Sequence, residues 1–469
     1  MRVLNNPKYR FSIFFISVCF CVSSCSHQQQ SKNIFHYNEQ SGIATLDPAF
    51  AKNQSIMWAV HQLYNTLVQI DDHLNIVPSL AKSWDISGDN LTFTFHLRND
   101  VFFNDNEAFA GGKGRKMTAE DVVYSFERIL DKNTASSGAW IFNGRVDTLQ
   151  PFTALDDTTF QLMLLKPFHP ILGVMSMQYC SIVPKEVAIK YGKDFRRHPC
   201  GTGPFQFVAW EEGQALVMKK NPAYFERDSL GVRLPYLDGI KISFLENKAT
   251  EFLEFQQQRL DFINDIDASF KDEVITKSGN LRKEWMDKIV LIKHPYLTTE
   301  YLGFLTDTSL PVVKNSALKN VKIRQAINYG FNRKKMMLYI RNSIGTPAES
   351  GFIPAGFPSF DSAAVVGYHY DPAKALALLK EAGYPNGVGL EPIKLLTVPI
   401  YADLASYIAN ELLQIGIKIN VEVVQKSLLL EQTAKSEALF FRGSWIGDYP
   451  DAENFLSVFY GKNPAPPNS

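Results

Sequence analysis

Between Pro372 and Val423 the chain repeats a pattern that an α/β layer satisfies. Pro372–Ala382 reads as an amphipathic helix ended at Gly383, where a helix C-terminus favours a residue free to turn left-handed. Lys394–Val398 reads as a strand, Ala402–Gln414 as a helix stopped by Gly416, and Ile417–Val423 as another strand. Strand, helix and strand in that rhythm build a sheet covered by helices, because each helix must bury its apolar stripe against a neighbouring layer.

The first half carries the same two periods. Ile34–Tyr37 alternates like a strand, Leu46-Asp47-Pro48 bends the chain, and Ser55–Val68 spaces Ile56, Ala59, Val60, Leu63, Tyr64 and Leu67 as one helical face. Pro78–Asp85 reads as a short helix after a proline, and Leu91–Arg98 as a half-buried strand. Thr118-Ala119-Glu120-Asp121 caps a helix through Val122, Val123, Phe126 and Ile129. The Gly-rich basic loop Phe109–Lys116 lacks the Gly-Lys-Ser/Thr ending of a phosphate cradle, and Gly201-Thr202-Gly203-Pro204 lacks a third glycine for a dinucleotide loop. Further strands are expected at Phe205–Trp210, Ala215–Lys219, Ile240–Phe244 and Leu260–Ile266, with a helix at Thr250–Arg259. Strand-like Ile289–Ile292 and Tyr301–Phe304 flank a His294-Pro295 break, where the chain is expected to cross between lobes. Helices follow at Val321–Phe331 and Arg333–Ile340.

The N-terminus has the form of a secretory signal. Arg2, Lys8 and Arg10 precede the apolar run Phe11–Val22, which is too short to span a bilayer. Val22-Ser23-Ser24-Cys25 then sets small residues before a cysteine, and Ser26–Asn33 is polar and Gln-rich. Residues 1–24 are thus expected to be a signal peptide, and 25–33 a flexible tether. Removing the signal takes away three basic residues and no acids from a chain with 48 of each. The slight acidic excess gives no electrostatic reason to expect nucleic acid. Cys180 and Cys200 are the only cysteines beyond the signal region. A bridge between them would close a roughly 20-residue loop and contribute about 3 kcal/mol. Two buried thiols are the preferred reading, since a single pair makes no disulfide framework.

Arg442–Leu456, RGSWIGDYPDAENFL, follows the strand-like Ala438–Phe441. A carboxylate at Asp448 between Trp445 and Tyr449 suits an ammonium clamp, in which charge pairs with the cation and rings exclude water. The competing reading makes the aromatic residues core or turn and Asp448 the cap of the next helix.

Several stretches, in order along the chain, resemble the oligopeptide- and dipeptide-binding class of extracytoplasmic solute-binding lipoproteins, which serve ABC-type peptide importers. They are Leu46-Asp47-Pro48-Ala49, Pro78–Trp84, Phe93–Arg98, Thr118–Ser125, Gly201–Phe205 and Asn221-Pro222-Ala223-Tyr224-Phe225. Ile323–Ile327, Tyr370–Ala375, Ala382-Gly383-Tyr384 and Trp445–Leu456 complete the series. The resemblance implies an α/β, two-lobed clam shell of the type II periplasmic-binding-protein kind. Lobe I would comprise 34–75 and 196–285, with an extra subdomain at 76–195. A hinge crossing at 286–300 would lead to lobe II at 301–469. The resemblance makes Cys25 the lipidated first mature residue of an extracytoplasmic, membrane-anchored protein. It further implies short peptides as ligands, permease subunits as partners and a monomeric state, with no cofactor, metal or catalytic residue. Carried over residue by residue, Asp448 would pair with the ligand α-ammonium, and Trp445 and Gly443 would lie on the strand edge that meets ligand backbone. Arg442 would face the ligand carboxylate. Glu39–Thr45, with Ile43 and Ala44, would form the opposing strand end. Arg98 and Arg324 read as scaffold. Family members continue past the Asp448 loop in a tail that returns to the first lobe. Asn463–Ser469 suits neither helix nor ladder strand, so the expectation is a fragment or a shortened protein.

Other functions have less in their favour. The nine histidines form no i,i+4 pair, and neither HExxH nor GxSxG occurs. The same fold with another solute (a nickel chelate, haem or an oligosaccharide) remains an alternative, as does a peptide sensor or a chaperone.

Overall fold

β1 (Ile34–Asn38) runs parallel to a strand that arrives much later in the chain, so the first lobe is closed by distant segments. A computed structural model describes residues 33–461 except 41, 267 and 268, together with residue 463. The signal region, Cys25, most of the tether and residues 464–469 lie outside the described residues. After β1, Asp47 accepts a hydrogen bond from the Ala49 N–H at 3.0 Å and so starts a short turn of helix at Pro48. α1 (Gln54–Leu63) is capped by the Asn53 side chain and buries Ile56, Ala59, Val60 and Leu63. Its C-terminus explains the Gly201-Thr202-Gly203 motif. A Cβ at Gly203 would lie 2.4 Å from the Leu63 carbonyl carbon, and one at Gly201 would lie 2.3 Å from its oxygen. Only glycine permits so close a backbone approach.

β2 (Val68–Ile70) and β3 (Ile76–Pro78) form a small hairpin. β4 (Ala81–Ile86) then pairs with β5 (Thr92–Leu97). The expected short helix over Pro78–Asp85 is therefore strand. The proline signal for a helix start loses to backbone pairing, with Ala81 N–H donating to Leu67 O and Trp84 set opposite Phe95. α2 (Ala119–Leu130) starts where expected, and the Asp121 carboxylate accepts from the Thr118 N–H at 2.9 Å. The neighbouring Gly-rich loop is structural: Arg115 is held by Asp121 and Glu186 at 2.6–2.8 Å. β6 (Phe152–Asp156) and β7 (Thr159–Met163) complete an antiparallel sheet of order β4-β5-β7-β6. Phe126, Phe142, Phe152 and Phe160 pack between α2 and this sheet. The short α3 (Ile171–Met175) follows, and the chain returns through β8 (Phe205–Glu211), β9 (Ala215–Lys220) and β10 (Gly239–Ser243), giving the order β1-β10-β9-β8.

Residues 260–266 make only one bridge, Phe262 to Tyr37, in place of the expected strand. The Asp261 carboxylate accepts from the His36 N–H at 2.7 Å, taking up a backbone donor there, and Asp265 turns the chain with φ of +73°. Ile289–Ile292 is no strand either, and Val290 is 86% exposed. It finds no ladder partner among the described residues.

The second lobe is a mixed sheet of β11 (Thr298–Phe304), β12 (Ile393–Thr397), β13 (Ile419–Val423) and β14 (Phe440–Ile446), ordered β11-β14-β12-β13. β12 runs parallel to both β13 and β14, as the helical crossovers require. The molecule has two main cores. One extends from Tyr37 to Phe244 through the β4–β7 sheet, and the other from Leu318 to Phe440. Cys180 and Cys200 are free and buried, and burial raises both thiol pKa values, that of Cys200 to about 12. Arg98 pairs with Asp100 and covers Phe225, while Arg324 donates to the Leu318 and Lys319 carbonyls, so both are scaffold.

Candidate ligand-binding site

β14 is the element that builds the site. β11 pairs with it along its whole length, Thr298 opposite Ile446 through Phe304 opposite Phe440. On the other side β12 meets it only at Phe441. Among the described residues, one edge of Arg442–Ile446 therefore has no ladder partner. Gly443 is required by packing, since a Cβ there would lie 2.5 Å from the Tyr301 ring.

Beyond β14 the chain turns through Gly447-Asp448-Tyr449-Pro450. The cap of the helix at Ala452–Leu456 is Asp451, whose carboxylate accepts from the Glu453 N–H at 2.8 Å, so Asp448 is free of that duty. Asn454, only 3% exposed, organises the loop. Its side-chain oxygen accepts from the Trp445 indole at 3.0 Å and from the Asp448 N–H at 3.2 Å. Its amide nitrogen donates to Asp448 Oδ2 at 3.3 Å. The structure thus joins Trp445 and Asp448 through Asn454, a residue not among those expected at the site. The only sequence signal was a buried-type amide on the helix following the loop.

Burial pushes the Asp448 carboxyl above its ordinary pKa, partly offset by the Asn454 hydrogen bond. No lysine, arginine or histidine among the described residues pairs with it. The loop reaches the opposite lobe. Tyr449 is 4% exposed and belongs to the first core, and Gly173 of α3 packs close beneath this loop, where a Cβ would lie 3.3 Å from Pro450 and 3.4 Å from Tyr449. The Asp448 charge also raises the pKa of the buried Tyr179 hydroxyl, behind the desolvation that contributes most. Asp448 therefore sits where the second lobe meets the first. Gln54, at the start of α1, donates to the Tyr296 hydroxyl in the 286–300 crossing.

Arg442 has partners of its own within the second lobe. It pairs with Glu300 across the β11–β14 ladder, and its guanidinium covers the Tyr401 ring at 3.4 Å. Its Nε is buried without a partner. Among the described residues, no hydrogen bond joins Ile43 or Ala44 to this group. Ile43 is anchored in the first core by its apolar side chain, and the Ala44 carbonyl accepts from Arg196 at 3.3 Å. No metal-ligand cluster occurs among the described residues.

Two mixed α/β lobes, one on each side of the 286–300 crossing, are the architecture of a type II periplasmic-binding protein. Residues 75–467 match the family of bacterial extracellular solute-binding proteins, family 5 middle region, and the chain belongs to that family. It is 30% identical to heme-binding protein A of Haemophilus influenzae, over 93% of this chain and 78% of that protein. It is 26% identical to the dipeptide-binding protein of Escherichia coli, over 92% and 79%. Among solved structures it is similar to the periplasmic binding protein DppA of Helicobacter pylori in complex with the peptide STSA. That match has a TM-score of 0.74 and 26% identity, covering 92% of this chain and 81% of that one.

Proposed function

We propose that the protein is the substrate-binding component of an ABC-type peptide importer, capturing short peptides between its lobes and delivering them to a membrane permease. The observation that carries this reading is Asp448, a half-buried carboxylate held by Asn454 and matched by no protein cation among the described residues. A ligand ammonium supplies the missing charge. The open edge of β14 suits peptide backbone, because main-chain hydrogen bonds are indifferent to side-chain identity. Trp445 and Gly443 stand on that edge. In this reading Cys25 carries the lipid anchor, the crossing at 286–300 acts as the hinge between 34–285 and 301–469, and the protein works as a monomer.

Calorimetry with mixed short peptides and their N-acetylated forms tests it. Free peptides should bind and acetylated ones should not; equal affinity would remove the ammonium clamp. Haem is another solute with an observation in its favour, the name of the Haemophilus influenzae relative. A haem titration followed by absorbance distinguishes the two.

A further inference from the structure

Arg442, the guanidinium expected to face a ligand carboxylate, is already paired within the protein itself. Arg442 Nη2 pairs with Glu300, and the Tyr401 hydroxyl donates to the same carboxylate at 3.3 Å. The Tyr401 ring stacks on the guanidinium at 3.4 Å, so Arg442 cannot swing away without losing both an anion and a ring face. The other arginine at this ring, Arg341, stands 5.7 Å from its centroid and is held by Asp403 at 3.1 Å. Asp265 adds negative charge near Tyr401, and Glu39 adds it near Tyr296, the residue that bridges to Gln54. Both arginines beside Tyr401 thus have internal counter-ions, while Asp448 awaits one. A ligand carboxylate arriving at Arg442 would meet the Glu300 anion at the same donors, and like charges so placed exclude the wrong partner.

We propose that Glu300 is a specificity-determining residue. It holds Arg442 as an internal ion pair, so that the cleft favours ligands whose ammonium reaches Asp448 and whose far end bears no free carboxylate, such as C-terminally amidated peptides. This rests on the peptide reading above.

The test uses the full chain and two libraries of tri- and tetrapeptides, identical except for a free carboxylate or a carboxamide at the C-terminus. Wild-type protein should bind the amides about tenfold more tightly. Glu300→Gln frees the guanidinium and should shift that ratio at least tenfold towards the acids, while Glu300→Asp should keep the wild-type preference. A wild-type preference for free acids overturns the proposal, and that measurement needs no variant. So does an unchanged ratio in a folded Glu300→Gln protein. N-acetylated versions of both libraries separate the two readings: if acetylation has no effect, the Asp448 clamp falls while the acid-to-amide ratio still reports on Glu300. Failure to bind any library member overturns both.

Discussion

Asp47 is buried and Asp448 half-buried, and their surroundings differ. Asp47 accepts from the Ala49 N–H and is gripped by both terminal nitrogens of Arg128, at 2.8 and 2.6 Å. Asp448 has Asn454 and no cation among the described residues. A buried carboxylate whose charge is met belongs to the scaffold, and here it ties the turn before α1 to α2. One whose charge is unmet carries its desolvation as a raised pKa, a cost that a ligand cation would relieve. The contrast separates the Leu46-Asp47-Pro48-Ala49 motif, which builds the lobe, from the Asp448 loop, which waits on it.

The largest effect that tests this contrast is on stability. Arg128→Ala leaves Asp47 buried and uncompensated, and should cost about 3–5 kcal/mol in urea unfolding. Asp448→Asn should cost peptide affinity about 2–4 kcal/mol by calorimetry, since a desolvated ammonium loses its charged partner. The stability of the ligand-free protein should not fall, because the replacement removes an unmatched charge. A loss of stability like that of Arg128→Ala would break the comparison and make Asp448 scaffold as well.

Much of the frame was legible in the sequence, because periodicity and caps are local. The Thr118–Asp121 cap, the helices closed by Gly383 and Gly416 and the strands of the second lobe all follow from neighbouring residues. The strand at Ala81–Ile86 and the missing strands at 260–266 and 289–292 do not, because pairing with distant segments decides them. The site divides the same way. Asp448 and Trp445 stood out as residue types, but the partner that joins them is nine residues beyond Trp445. The Glu300–Arg442 pair joins strands far apart in sequence. Asn454→Ala sharpens the point. It deprives the Trp445 indole and the Asp448 N–H of their shared acceptor, and should cost about 1–3 kcal/mol in peptide affinity. Asn454→Asp, which keeps the acceptor but sets a second carboxylate beside Asp448, should instead raise the Asp448 pKa further. Unchanged affinity in Asn454→Ala would show that Asp448 needs no positioning.

The smallest effect is the dependence on pH, and its sign differs for stability and for binding. Burial raises the folded-state pKa of Asp448 above its unfolded value. In the ligand-free protein, that group's favourable contribution is therefore present at low pH and is lost as pH rises through the folded pKa, where the half-buried carboxyl must ionise. A ligand ammonium binds the ionised form, so peptide affinity runs the opposite way. It should be steady above that pKa and fall about tenfold for each pH unit below it, or about 1.4 kcal/mol per unit. Asp448→Asn should flatten this fall in calorimetry at stepped pH, because the remaining carboxamide does not titrate. A fall that survives the substitution would assign the proton to another group and leave Asp448 without a role in the titration.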